Sequence, residues 1–225
     1  MRKPSVLVLV QLLLVASLWP ASHVLSPGSI KARWPIKTSV PPHTDLKQPG
    51  TLLPLADFLA LPAAAEHMST EFESALFPKK PGAKFGDGDL VRTRGYVRLV
   101  AGEPDGDYHI QITQTPDTFD NCLVVEVPKD DPEFVKDAQV LAAAKSVRDF
   151  VMTRLKTGDP TGRIVRIVGP AYVEVTGQLF FDAGHQAAMA KGVFRGKSIN
   201  GKQLPSKTSW EIHPITQMVF APRPK

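Results

Sequence analysis

Two carboxylates and two histidines lie close together in the C-terminal part of this sequence. Asp182 and His185 are three residues apart, and Glu211 and His213 are two residues apart. If the two pairs meet at the ends of neighbouring strands, their oxygen and nitrogen atoms could bind a divalent metal. The same four residues could instead form a carboxylate–histidine network that fixes the base of a loop. No two histidines stand at helical spacing, so we favour the network and predict no metal or other cofactor.

Basic side chains are concentrated between residues 183 and 209. This segment contains five of them and no Asp or Glu, which equals the net charge of +5 for the whole chain. We expect a long, mobile, polar loop whose cations hold an anionic polymer, either single-stranded nucleic acid or an acidic glycan. A solvated loop that is basic only for solubility is the alternative. The cations are Lys191, Arg195, Lys197, Lys202 and Lys207.

A second basic group lies in an alternating stretch, residues 89–99. Its inward face is apolar and includes Leu99, because successive side chains of a strand point to opposite faces. Cations that flank an aromatic ring could contact phosphates and stack on a base, although a wet and charged outer face is the alternative. The outward residues are Arg92, Arg94, Tyr96 and Arg98, joined on the next strand by His109 and Gln111. We expect His109 at the surface.

Alternation predicts the remaining strands and places a helix among them. Strands are expected at residues 107–113, 122–127, 172–182 and 210–220, and residues 163–168 lead from the helix to the third of these. Asp182 should point outward on its strand, opposite to Phe181. The helix should run from Pro132 to Lys156, with Asp131 as its N-cap. Its apolar stripe includes Leu141, Val147 and Val151, which we expect to close one end of the β structure.

This order of elements predicts the fold. Three strands, a helix and two further strands match the five-stranded OB-type barrel, whose helix lies between strands three and four. Closure into a barrel also hides the edges of amphipathic strands. An open α+β sandwich is the alternative. In OB barrels the face of strands two and three and the loop between strands four and five bind oligonucleotides and oligosaccharides, which here places the basic loop on the binding surface.

The N-terminal third predicts export. Residues 1–26 have a basic start and a short apolar run, which is typical of a signal peptide; contact with a membrane is expected only if this segment remains uncleaved as an anchor. Residues 27–81 are expected to form a Pro-rich tether with a short helix at 63–77. The OB domain then covers residues 82–225. The protein is expected in the periplasm or outside the cell.

The sequence gives little sign of catalysis. Cys122 is the only cysteine and opens an apolar run, so we interpret it as a small buried side chain rather than a reactive thiol. No G-x-S-x-G turn, P-loop or dinucleotide-binding glycine pattern is present. We therefore assign no catalytic residues.

Four short stretches resemble a family of small exported bacterial OB-fold proteins, most of them uncharacterised. The stretches are Asp107-Tyr-His-Ile, Leu123-Val-Val-Glu-Val-Pro, Thr176-Gly-Gln-Leu-Phe-Phe-Asp-Ala-Gly-His and Trp210-Glu-Ile-His-Pro-Ile-Thr. The resemblance covers about residues 89–220 and implies the fold and the compartment but no reaction. The staphylococcal nuclease group shares the barrel, but its motifs are missing here.

Three hypotheses of function follow from these patterns. The first is an exported OB-fold module that binds an anionic polymer or another extended ligand. The second is a metal-dependent hydrolase, such as a phosphodiesterase, that uses the carboxylate–histidine cluster. The third is a structural protein of the cell envelope that binds a partner through its N-terminal arm.

Overall fold

The computed structural model describes residues 33–42, 44–63, 76, 79 and 81–224. The chain is mainly β, with a six-stranded mixed sheet and a separate two-stranded hairpin. The expected signal segment at 1–26 and nearly all of the expected helix at 63–77 lie outside the described residues. Among the described residues, no helix has the length and apolar character that crossing a membrane requires.

The elements follow the chain in a simple order. The helices are α1 (Leu55–Leu59), α2 (Ala138–Asp149) and α3 (Ala183–Ala190), and α2 continues into a π-helical turn, Phe150–Arg154. The strands are β1 (Thr51–Leu52), β2 (Leu90–Gly102), β3 (Tyr108–Thr113), β4 (Leu123–Val127), β5 (Ile164–Phe181), β6 (Gly196–Ile199), β7 (Lys202–Pro205) and β8 (Trp210–Phe220). Residues 33–37, which precede β1, are also helical.

Five strands, β2, β3, β4, β5 and β8, each pair with two others of the five. The sheet order is β1-β2-β3-β4-β8-β5, and β5 also pairs with β2 along most of its length. The pairings between β2, β3, β4, β8 and β5 therefore return to the strand where they began. β4 and β8 run parallel, whereas the other four pairings are antiparallel. β1 adds to β2 in parallel.

The structure contains the predicted helix, but the helix begins later than predicted. Asp137, not Asp131, caps α2, because its carboxylate accepts hydrogen bonds from the Gln139 and Val140 amides. Asp131 instead stabilises a turn through the Glu133 amide. The helix lies between β4 and β5, as predicted, and packs against β8 and β4.

The apolar stripe of α2 divides between two clusters. Val147 and Val151 enter the main core, where they are 2 % and 0 % exposed. Leu141 instead packs with Leu46 and Val140 outside that core. Of the three stripe residues, only Val147 and Val151, in the C-terminal half of the helical segment, therefore pack in the main core.

A bulge changes the inward face of β2. The register between β2 and its neighbours shifts between Val97 and Leu99, and Arg98 is the extra residue. Val97 and Val100 therefore both reach the main core, while Leu99 packs in a separate cluster with Cys122 and Leu204. The alternation from which we placed Leu99 on the inner face fails because a bulge inserts one residue into the period of two.

Residues 183–209 are not a single polar loop. Asp182 accepts a hydrogen bond from the His185 amide and so begins α3, and the following segment folds as the antiparallel β6–β7 hairpin. The fourth strand, expected at 172–182, begins earlier than predicted, because β5 already starts at Ile164. These corrections decide what covers the outer face of the sheet.

Candidate functional site

A layer of polar side chains lies on the outer face of β3, β4 and β8. Asp107 precedes β3, and the layer continues through His109, Gln111, Glu126, Glu211 and His213. Register explains their proximity, because His109 pairs with Glu126 and Glu211 pairs with Val124. Each of these six residues is 6 % exposed or less. This face of the sheet is therefore a buried polar layer rather than a wet surface, and the expectation that His109 lies at the surface is wrong.

The β6–β7 hairpin covers one half of the polar layer. Ile199 and Leu204 from the hairpin pack against Leu99 and Cys122. Gly196 allows the close approach: a Cβ atom there would lie 2.3 Å from the Leu204 carbonyl oxygen, and its φ of +121° disfavours other residues. The hairpin thus closes over the sheet through an apolar cluster of its own.

Gln111 connects the hairpin to β3. Its side-chain oxygen accepts a hydrogen bond from the Lys197 amide at 2.8 Å, and its nitrogen donates to the Leu204 carbonyl at 2.9 Å. A completely buried amide satisfied at both ends costs little in desolvation and fixes the position of the hairpin. Gln111 is therefore occupied by the protein's own backbone rather than free for a ligand.

The N-terminal arm (the described residues 33–42) covers the other half through Lys37. The Lys37 ammonium lies 3.0 Å from Asp107 Oδ2, 3.0 Å from Glu126 Oε2 and 3.5 Å from Asp105 Oδ2. The lysine is only 7 % exposed. A cation from the arm thus neutralises carboxylates that would otherwise repel one another in a low-dielectric site.

His213 stands at the centre of the layer. Its Nδ1 lies 3.1 Å from Glu126 Oε2 and 3.4 Å from Glu211 Oε1, and its Nε2 lies 3.6 Å from Asp107 Oδ2. The opposite side of Glu211 is held by Arg195, which enters from the hairpin. Two cations from two covering segments therefore bind the carboxylates on either side of one buried imidazole.

The buried charges change one another's ionisation. Burial lowers the pKa of Lys37, but the charges of Glu126 and Asp107 outweigh it and leave the pKa well above 10.5. Burial raises the pKa of Glu126, but Lys37 and the histidine hydrogen bonds hold it well below 4.5. Burial and the charge of Lys37 lower the pKa of His213, yet its carboxylate partners Glu126, Glu211 and Asp107 raise it to about 9. Lys37, Glu126 and His213 therefore all favour their charged forms in the folded protein at neutral pH.

Three members of the layer could bind a metal ion. One ligand atom each from Asp107, Glu126 and His213 lie within 4.8 Å of one another. The pairs considered from the sequence are arranged differently: Glu211 and His213 belong to this layer, whereas Asp182 and His185 form a separate pair at the start of α3. Among the described residues, the four do not form such a group together.

Asp182 is buried, contrary to the expectation that it points outward. It is 2 % exposed, its Oδ2 lies 2.6 Å from His185 Nδ1, and Arg33 of the arm donates to its Oδ1 at 2.7 Å. Burial raises the pKa of Asp182, but the charges of His185 and Arg33 outweigh it and hold the pKa well below 3.8. Two cations of the arm thus form ion pairs with the rest of the protein, the partly buried Arg33 and the buried Lys37.

The predicted basic face of β2 is already partly neutralised. Glu174 on β5 forms ion pairs with Arg92 at 3.5 Å and with Arg94 at 2.6 Å. Tyr96 is 8 % exposed and lies against Tyr172, with ring centroids 4.7 Å apart. This part of the strand is a packed and paired surface.

Arg98 belongs to a different group at the rim of the sheet. Its guanidinium lies 4.6 Å from the Phe119 ring centroid, and the Lys202 ammonium lies 4.1 Å from the same ring. Burial makes the largest contribution to lowering the pKa of Arg98. The charge of Arg166, which is exposed beside these residues, lowers this pKa further. The Lys207 amide donates to Asn121 nearby. We name Arg98, Phe119, Arg166, Lys202 and Lys207 the Phe119 patch.

The other cations of residues 183–209 lie in three different settings. Arg195 is buried in its pair with Glu211. Lys197 forms a half-buried ion pair with Glu103 at 2.6 Å. Lys191 is exposed at the end of α3, and Lys202 and Lys207 are exposed at the Phe119 patch. The five residues therefore do not act as one continuous cationic loop.

The polar layer brings together residues that no single sequence pattern connects. Asp107 and His109 come from one resembling stretch, Glu126 from another, and Glu211 and His213 from a third. A charged residue inside the apolar run Leu123–Val127 was a usable signal for Glu126. Lys37 offered none, because it lies in a Pro-rich arm without periodicity. No protein-family model matches this sequence, and no curated protein matches it significantly.

Proposed function

We propose that this protein is an exported OB-type module that binds an anionic polymer through the Phe119 patch. We favour an acidic glycan over single-stranded nucleic acid as that polymer. The carrying observation is that two cations lie on one aromatic ring at the rim of the sheet, with further exposed cations beside them. Such clusters attract polyanions and release their counterions.

The OB-type barrel is the fold that best accounts for the strand pairings. Five long strands pair in a cycle, and the main helix falls between the third and fourth of them in chain order. OB-type barrels bind their ligands on the face of the second and third strands and on the loops that follow the first and fourth strands. In this chain the loop after the fourth strand is α3 with the β6–β7 hairpin.

The position of the site follows from what is already covered. The outer face of β3 and β4, where an OB-type ligand would lie, is closed by the hairpin and the arm. Lys202 and Lys207 remain exposed at the edge of that cover, near the loop that connects β3 and β4. Asp117 and Asp120 in this loop reduce the local positive charge, so binding of moderate strength and strong salt dependence is expected.

A hydrolase is the less favoured function. The donors Asp107, Glu126 and His213 are at most 5 % exposed beneath the arm and the hairpin. A polymer could not reach them while both covers are in place. Export and membership of the exported OB-fold family remain proposals, which rest on the signal-like first 26 residues and on the four resembling stretches.

The test compares two triple variants with the same loss of charge. The first carries Arg166→Gln, Lys202→Gln and Lys207→Gln in the Phe119 patch. The control carries Lys136→Gln, Lys145→Gln and Arg154→Gln, which are exposed residues of the α2 region. Each is titrated with labelled polygalacturonate and with labelled single-stranded DNA at several salt concentrations.

The patch variant should bind at least about 10-fold more weakly than wild type, and its log–log salt slope should fall by about 0.7 for each lost phosphate contact. The control variant should lose much less affinity. Preference for the glycan supports the favoured ligand class, and preference for DNA selects the other. Equal losses of affinity in both variants would show that net charge alone causes the effect, and would reject the Phe119 patch as the binding site.

A further inference from the structure

The buried layer contains a set of metal-binding atoms from three separate segments. Asp107 precedes β3, Glu126 lies on β4 and His213 lies on β8, and one ligand atom from each falls within 4.8 Å of the others. Two carboxylate oxygens and an imidazole nitrogen are donors that Zn²⁺ and Mn²⁺ accept. Backbone pairing fixes β4 beside β8 and β3 beside β4, so Glu126 and His213 are held by the sheet, and Asp107 lies directly before β3.

An independent observation points to a ligand at this position. His213 Nε2 is completely buried, lies 3.6 Å from Asp107 Oδ2 and has no hydrogen-bond partner among the described residues. The other ring nitrogen, Nδ1, faces Glu126 at 3.1 Å and Glu211 at 3.4 Å. With Glu126 bound to the ion, Glu211 remains to orient Nδ1, which is the common arrangement of a metal-binding histidine: a carboxylate orients one nitrogen and the other nitrogen is directed at the ion.

Lys37 is the cation that the arm places at these carboxylates. Its ammonium contacts one oxygen each of Asp107 and Glu126 at the same distance of 3.0 Å. A metal ion bound to the same oxygens would have to replace it, because both cations require the same lone pairs. Arm docking and metal binding would therefore compete.

We propose that Asp107, Glu126 and His213 form a binding site for one divalent transition-metal ion, Zn²⁺ or Mn²⁺, which the Lys37 ammonium replaces when the arm is docked. The site is independent of the anionic-polymer proposal, because none of its donors belongs to the Phe119 patch. Zn²⁺ binding at Nε2 withdraws Lys37 from the layer and releases the imidazolium proton of His213 to the solvent, and arm docking expels the metal.

The test removes the competing ammonium from the full-length protein. Lys37→Met and Lys37→Gln retain side-chain length without the charge, and Lys37→Arg retains the charge. Lys129→Met is the matched control, because Lys129 forms an exposed ion pair with Asp131. Each protein is titrated with ZnCl₂ and MnCl₂ by calorimetry, and bound metal is counted after gel filtration.

Lys37→Met and Lys37→Gln should bind one ion per chain, on the order of 100-fold more tightly than wild type, since no cation must first be displaced. Lys37→Arg and Lys129→Met should resemble wild type. Adding His213→Gln to Lys37→Met should abolish the site while leaving binding to surface histidines unchanged. Binding that is indifferent to His213, or no gain from removing the ammonium, would overturn the proposal.

Stability provides a second measurement, because loss of Lys37 leaves buried carboxylates unpaired. Zn²⁺ should raise the melting temperature of Lys37→Met and Lys37→Gln but not that of Lys37→Met/His213→Gln. If the single variants fold only in the presence of Zn²⁺, that result also supports the site. Failure to fold with or without Zn²⁺ and Mn²⁺ would reject it.

Discussion

Arg195 and Glu211 form an ion pair that is buried on both sides. Arg195 donates one hydrogen bond to the Glu211 carboxylate and another to the Thr208 carbonyl, and the two side chains are 2 % and 0 % exposed. The pair joins the start of β6 to β8, so the hairpin is held to the sheet by charge as well as by its apolar cluster. Lys37 makes the equivalent connection for the arm.

Breaking this pair from one side should destabilise the protein strongly. Glu211→Gln leaves a buried guanidinium without its counter-charge, which costs about 3–5 kcal/mol of unfolding free energy. Urea denaturation followed by circular dichroism measures this loss. Limited proteolysis of the same variant should show faster cleavage within residues 191–207, because the hairpin loses its anchor.

The double variant Arg195→Met/Glu211→Leu is the control for this prediction. It removes both charges and replaces them with apolar side chains, so it should be more stable than Glu211→Gln alone. A double variant at least as unstable as the single one would show that the pair itself, rather than an unpaired charge, contributes the stability.

Acid stability should depend on Asp182. Its folded pKa lies well below 3.8, so its charged form contributes stability that is fully present above pH 3.8 and is lost as the pH falls through the folded pKa. Asp182→Asn removes this contribution but retains an oxygen that can cap α3. The difference in unfolding free energy between wild type and variant should therefore shrink steadily below pH 3.8. A constant difference from pH 6 to pH 2 would contradict the assignment.

The sequence predicted the fold class better than its details, for physical reasons. Alternation located the five long strands, since each has one face in the core. It could not locate the bulge at Arg98, because one extra residue leaves the local composition unchanged. It also missed the hairpin: β6 and β7 have four residues each and mixed polarity, so neither shows a clear period.

The site was harder to predict than the fold. His109 was predicted at the surface, and the period of two does place it outside the core, as it does Glu211 and His213. Their burial depends on the hairpin and on Lys37, which come from distant parts of the chain. No local pattern encodes that cover, so a predicted surface became a buried layer.

Cys122 should be unreactive in the folded protein. It is completely buried, and burial raises the pKa of its thiol to about 12, so the thiolate is scarce at neutral pH. With excess 5,5′-dithiobis(2-nitrobenzoic acid) at pH 8, labelling should follow the rate of global unfolding and become fast only in denaturant. Rapid labelling of the native protein would show that the hairpin opens readily from Leu99 and Cys122. Gly196→Ala should accelerate labelling, because its Cβ atom would collide with the Leu204 carbonyl.

The last prediction tests how α2 packs against the sheet. Val147 is 2 % exposed and belongs to the main core, whereas the next residue toward the N-terminus, Ser146, is exposed. Val147→Asp places an unpaired charge in that core and should cost at least about 3 kcal/mol of unfolding free energy. Ser146→Asp adds the same charge to the same turn of the helix, so its effect should stay within about 0.5 kcal/mol. Thermal melts of both variants measure the contrast. If the two melting temperatures agree, α2 does not pack on the core through Val147.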